Sequence, residues 1–227
     1  MSTPAEALRP SLFGDLPMEA WPAGDEPRGE PWDGFVRARR HWADGDQDLA
    51  AREWITISGF DNHETRHQLQ AWHFLRAMNI NPDVSFAGEA WGVVAEVAVD
   101  DGHDVLATYR DGTIRFLHHQ GGVSVIDAPP IEVADAAARY LAAARVVGGA
   151  IGPWEEPALP PLPVGQRRFT MLTAGGHRFG QGADDVLRQD PLAESLFAAA
   201  TALFVQVVDL ATTADPSVQQ LDPDDPS

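Results

Sequence analysis

Apolar residues recur at helical spacing over the first third of the chain, at alternate positions through the middle, and at helical spacing again near the end. Phe35, Val36 and Trp42 lie on one face of a first helix that Ala43-Asp44-Gly45-Asp46 stops. Leu49, Ala50, Trp54 and Ile57 form the inner stripe of a second helix, ended by Ser58-Gly59. A third, over 61–79, carries Leu69, Trp72 and Leu75 toward that hairpin or toward a sheet. After the turn at Asn81-Pro82 the period drops to two. Strands are expected over 92–99, 105–109, 113–118 and 123–126, joined by turns such as Arg110-Asp111-Gly112 and Gln120-Gly121-Gly122.

Ala128-Pro129-Pro130 ends this meander, and residues 131–147 read as an alanine-rich helix closed by Gly148-Gly149. A proline-dense loop over 152–165 follows, with Trp154 as an anchor, and then a hairpin of 167–173 and 177–179. Asp190 caps a last helix with Pro191 at its first position and Leu192, Leu196, Ala199, Ala200, Leu203 and Val207 as its buried stripe. The pattern predicts an α+β fold. An N-terminal three-helix subdomain packs on an antiparallel β-meander with two further helices. The expected organisation is a leader over 1–31, a helical subdomain over 32–80, an α+β domain over 90–213 and an acidic tail over 214–227. The leader is rich in proline, glycine and acid and reads as extended or disordered. Its Leu12, Phe13, Leu16, Met18 and Trp21 either pack loosely on the body or form a short partner-docking segment.

Composition narrows the function classes. Acidic residues number 34 against 16 basic ones, for a formal charge of −18. That field repels phosphate backbones and anionic membranes and favours a basic partner surface. Cysteine is absent, which removes disulfides, thiol nucleophiles and cysteine-ligated metals and fits a cytoplasmic setting. The first residues lack a basic start with an apolar run, so no signal peptide is expected. No apolar segment is expected to approach the ~20 residues that span a bilayer.

One stretch carries the letters of a known chemistry. His63-Glu64-Thr65-Arg66-His67 matches the H-E-x-x-H zinc signature, in which two imidazoles one helical turn apart hold zinc and the glutamate acts as general base. His73 has metzincin spacing, but Gln70 stands where that pattern needs a glycine turn, and a continuing helix points His73 about 120° away from His67. The competing reading makes Asp61 an N-cap and Glu64 its capping-box partner. His63 then falls in the first turn, Arg66 beside it opposes a dication, and His67 packs in the core with Ala71, Phe74 and Met78.

Other constellations are weaker. His118 and His119, adjacent on a strand, are expected to face opposite ways and not to chelate together. Asp100-Asp101-Gly102-His103-Asp104 lacks the alternating ligands and distal glutamate of a calcium loop. Gly175 to Gly182 is glycine-rich without the lysine and hydroxyl of a phosphate loop, so a hairpin is expected there. Ser58, Ser85, Ser124 and Ser195 sit in no nucleophile elbow, and Asp184-Asp185 and Glu155-Glu156 are adjacent acids in loops.

The segments LQAWHFLR (Leu69 to Arg76), IGPWE (Ile151 to Glu155) and LTAGGHRFGQG (Leu172 to Gly182) resemble a group of uncharacterised bacterial proteins, which implies no stated activity. The order of elements is similar to small α+β interaction domains of the roadblock or profilin-like kind, by analogy of architecture alone. The expected function is a non-enzymatic, cytoplasmic protein–protein interaction or accessory module, with no cofactor. Trp21, Trp32, Trp91 and Trp154 are interface candidates through the sheet edge, the final helix or the tryptophan-bearing loop. The alternative is a zinc-dependent hydrolase with His63 and His67 as ligands and Glu64 as base.

Overall fold

The computed structural model describes residues 8, 11–20, 27–60, 62–156 and 159–214. Trp21, the capping candidate Asp61 and the tail beyond residue 214 lie outside these described residues. The fold is α+β, as the pattern implies. A single six-stranded antiparallel sheet runs in the order β4-β3-β2-β1-β5-β6. Its strands are β1 (Ala90–Val99), β2 (Gly102–Tyr109), β3 (Ile114–Leu117), β4 (Val123–Ile126), β5 (Gln166–Thr173) and β6 (Gly176–Ala183). β1 is central, so both of its faces are buried and its residues are apolar almost throughout.

Helices α1 (Trp32–Ala43) and α2 (Gln47–Ser58) form the expected hairpin, and Asp46 caps α2 by accepting from the Leu49 amide at 3.2 Å. Helix α3 (Thr65–Ala77) has two apolar sides. Ala71, Phe74 and Leu75 pack with Phe35, Trp54 and Ile57 of the hairpin, while Leu69 sits with Val94, Val105 and Leu172 on the sheet. α3 therefore joins the helical subdomain to one sheet face.

The opposite face carries α4 (Ile131–Ala150) and α6 (Glu194–Ala214), with the short α5 (Asp184–Gln189) between β6 and α6. Tyr140, Leu141 and Ala144 of α4 and Leu196, Leu203 and Val207 of α6 cover Val93, Ala95, Leu106, Phe116, Phe169 and Met171. The strand period of two sorts the sheet residues into these two sets.

Several element boundaries differ from expectation. α3 begins at Thr65, because residues 62–64 form a turn in which the His63 amide donates to Phe60 O at 3.0 Å. Glu64 occupies the N-cap position, yet its side chain makes no capping bond. α4 runs through Gly148-Gly149, and β6 extends through Gly180 and Gly182 because it pairs with β5 along its whole length. α6 starts at Glu194 rather than at residue 191, and Leu192 is exposed. Asp184 and Asp185 open α5 instead of lying in a loop. The expectation that no apolar run nears membrane-spanning length is corrected by Glu194–Thr212. Those 19 residues are long and apolar enough by length and composition to cross a membrane, and 28% of them are buried inside the fold.

Candidate functional site

The H-E-x-x-H residues do not converge. His63 precedes α3, stacks on Phe60 with ring centroids 5.1 Å apart, and places Nδ1 3.3 Å from Ile57 O. His67 is buried on the helix, edge-on to Trp32 at 4.9 Å and near Phe35 at 6.5 Å. Burial, with the Arg66 charge beside it, pushes its imidazole down to about 4. The Glu64 carboxylate pairs with Arg66 at 2.6 Å and Arg115 at 3.3 Å. Burial acts to raise its pKa, but these guanidinium groups and His67 hold it below the usual carboxylate range. The α3 amide that needs a cap is taken by Asp111 of the β2–β3 turn, whose Oδ2 accepts from Thr65 N at 2.6 Å.

The histidines that do come together are His118 and His119. β3 ends at Leu117, so the pair lies past the strand, and the two rings stand side by side with centroids 4.1 Å apart. This corrects the expectation of opposite faces. Asp104 joins them: its Oδ1 accepts from the His119 amide and lies 2.8 Å from His119 Nδ1. Among the described residues these three form the group whose donor atoms lie within 4.8 Å of one another, close enough for one metal ion.

The three tryptophan candidates among the described residues also part ways. Trp91 is 5% exposed, stacked on Phe86 and covered by the Arg110 guanidinium at 3.6 Å, so it is core. Trp32 is half-buried against the helical core, and Trp154 is 38% exposed.

Trp154 leads to a cavity of about 700 Å³ on the sheet face shared with α3. The proline-dense loop crosses that face as a strap tied at three points. The Trp154 amide donates to His177 O at 2.7 Å, Arg168 donates to Pro160 O, and the Gly165 amide donates to Ala98 O at 3.0 Å. Trp154 also meets Phe179 of β6 edge-on at 4.9 Å. The cavity reaches from His103, paired with Ala98 at one end of β1, to Gly176, whose partner Thr173 pairs with Ala90 at the other. Its lining residues therefore span about eight residues of β1, or ~26 Å of strand at ~3.3 Å per residue.

Leu159, Pro160, Pro161 and Leu162 of the strap form one wall. His73 and Arg76 of α3, with Phe13 and Asp15 of the leader, form the other. Arg168 lies on the floor, almost fully buried, 3.4 Å from Glu96 and 2.9 Å from Gln181 Oε1. His177 donates from Nε2 to Phe13 O at 3.2 Å and turns Nδ1 toward Asp15 at 3.7 Å. A carbonyl oxygen only accepts, so Nε2 carries the proton. Burial lowers the pKa of both His73 and His177, with the Arg76 charge adding to the effect. Burial likewise lowers Arg76, against the pull of Asp15.

The groove thus offers aromatic and proline surface with cationic and imidazole donors along its length. Among the described residues that line it there is no serine, threonine, lysine or cysteine, and His177 is engaged in holding the leader. Sequence reasoning named Trp154 and the loop but missed the groove, because its walls come from segments up to 164 residues apart. No protein-family model, curated protein or solved structure matches this chain, and its function must be read from the geometry above.

Proposed function

We propose that this chain is a non-enzymatic binding module that holds an extended segment of a protein partner in the groove beneath the strap. The observation that carries this reading is the groove itself, whose lining runs along most of β1 and whose one wall is fixed at both ends and in the middle. A preformed channel of that length suits an extended backbone, and rigid walls lower the ordering cost of binding. Proline and tryptophan surface contributes apolar contact at little conformational cost, while Arg76 and His73 supply polar groups. The rest of the molecule carries a strong negative charge. A fitting partner therefore presents a basic surface to the body and places an apolar or acidic segment in the groove.

The test is site-specific photocrosslinking in the native host. A photoreactive amino acid at Trp154 is expected to trap one discrete protein, through a contiguous stretch of its sequence. The same amino acid at Val84, which is 93% exposed and outside the groove lining, is expected to trap none of it. Equal capture at both positions, or none at either, would refute the proposal.

A further inference from the structure

The leader is held by the body in the manner of a bound peptide. Three side chains of the folded body take its backbone groups, though they come from three different elements. Gln70 of α3 accepts from the Leu16 amide at 2.9 Å and donates back to Leu16 O at 2.8 Å. Tyr109 of β2 donates to Leu12 O at 2.7 Å. His177 of β6 donates to Phe13 O at 3.2 Å. Leu12 and Phe13 are each 4% exposed, filling apolar space over Leu69, Val105, Tyr109 and Leu172.

Gly14 adopts a φ of +63°, and a β-carbon there would stand 2.8 Å from Leu69 Cβ and 3.1 Å from Arg66 O and Gln70 N. Any side chain at this position collides with Leu69 Cβ and crowds the α3 backbone. Asp15 then faces His177, and its charge acts on His73 and Arg76. Paired recognition of backbone N–H and C=O, two apolar pockets, a glycine-only contact and a cationic corner together make up a peptide-reading site. Phe13 and Asp15 line the open groove directly, so the occupied and open parts are continuous.

We propose that residues 11–18 are the resident ligand of a peptide-recognition channel, and that a partner segment of like chemistry exchanges with them. The segment it fits carries an aliphatic–aromatic pair in a helical turn, then a glycine of positive φ, then an acidic residue, as in Leu12-Phe13-Gly14-Asp15. This rests on the reading of the groove as a protein-binding site and specifies what that site selects.

The experiment uses the full chain and a fluorescein-labelled synthetic peptide of the sequence SLFGDLPM, residues 11–18, read by fluorescence anisotropy. Gly14→Val, which ejects the leader by collision, is expected to bind the peptide at least tenfold more tightly than the unaltered chain. A peptide with valine for its glycine is expected not to bind. Asp15→Lys sets a cation against Arg76 without touching the apolar pockets, and it is expected to raise peptide affinity in the same direction. It decides the matter if Gly14→Val does not fold. Adding Gln70→Ala to the released variant should reduce the affinity again.

A folded variant that binds SLFGDLPM no better than a scrambled peptide would overturn the inference. The two proposals fail separately. Capture at Trp154 without peptide binding removes the resident-ligand idea alone, and peptide binding without capture removes the partner reading alone.

Discussion

The two faces of the sheet are built from the same strands yet obey different chemistry. Toward α4 and α6 the sheet presents Val93, Ala95, Leu106, Ile114, Phe116, Phe169 and Met171, an almost wholly apolar surface. Toward α3, the leader and the strap it presents Val94, Val105, Ala107 and Leu172, but also Glu96, Arg115, Arg168 and Thr170, all buried. Buried charges contribute little net stability compared with apolar residues of similar volume, and they are costly when separated. One face is thus built to hold the fold together. The other gives up some of that advantage to tie down a strap and a leader and to leave a groove between them.

The largest expected effect tests that division directly. Glu96→Ala leaves the Arg168 charge buried without its carboxylate, at a cost of about 3–5 kcal/mol. Phe169→Ala, next to Arg168 on β5 but facing the apolar side, should cost about the same through a cavity. The double change Glu96→Leu with Arg168→Met should recover most of the first loss, whereas no second change so close in shape repairs Phe169→Ala. Urea denaturation followed by circular dichroism measures all three. The double variant should also lose the Arg168 tie to Pro160, visible as faster amide exchange in the strap. A single Glu96→Ala costing under ~1 kcal/mol would mean that the pair is not what organises this face.

Acid should separate the faces next. His67, 4% exposed, is held neutral in the fold down to about 4, while an unfolded histidine takes its proton near 6.5. The unfolded state therefore binds more protons across that window, and stability falls as pH is lowered through it. The displacement from 6.5 to about 4 corresponds to about 3 kcal/mol. His73 and His177 are displaced in the same direction, so they add to the loss. The apolar side offers Tyr140, raised by burial and silent in acid. His67→Phe should flatten the stability profile between pH 6.5 and 4; a profile unchanged by it would place the acid sensitivity elsewhere.

A smaller effect concerns how helices are started on the two sides. α4 begins after Pro130 with no side-chain cap. α3 borrows Asp111 from a turn 46 residues away in sequence. Asp111→Ala should cost about 1–2 kcal/mol and expose the first turn of α3 to exchange, leaving α4 unaffected. Equal protection of residues 65–68 in both proteins would show that the cap is redundant.

That borrowed cap also shows where reading the sequence runs out. The helical hairpin, the meander and α4 were legible because their periods are local and strong, as in Leu49, Ala50, Trp54 and Ile57. The start of α3 was not: a D-x-x-E spacing looks like a cap, but Glu64 is drawn off by Arg66 and Arg115. α5 was hidden because DDVLRQ buries only Leu187. Gly180 and Gly182 concealed most of β6, whose extent is set by pairing with β5. His118 reads as part of a strand that in fact ends one residue earlier, and that single residue reverses the expectation for the pair. The groove was illegible for a deeper reason. Gln70, Tyr109 and His177 each read as an ordinary element residue until the leader is laid across them.

The smallest expected effect decides between two histidine pairs. The signature pair His63 and His67 is split between a turn and an aromatic core on the polar side, while Asp104, His118 and His119 gather at the rim of the sheet beyond β3. Two imidazoles and a carboxylate suit zinc or its neighbours, and three protein donors leave coordination positions open to water. If this cluster holds zinc, the metal at ten times its dissociation constant stabilises the protein by about 1.4 kcal/mol, a rise of a few degrees in Tm. His118→Ala should abolish that rise and His63→Ala should leave it intact. The opposite pattern would require α3 to extend backward by a turn and His67 to leave its aromatic surroundings, returning the motif to the role its letters suggest. Thermal scans of these two variants with and without zinc therefore measure whether residue order or packed geometry governs metal choice in this chain.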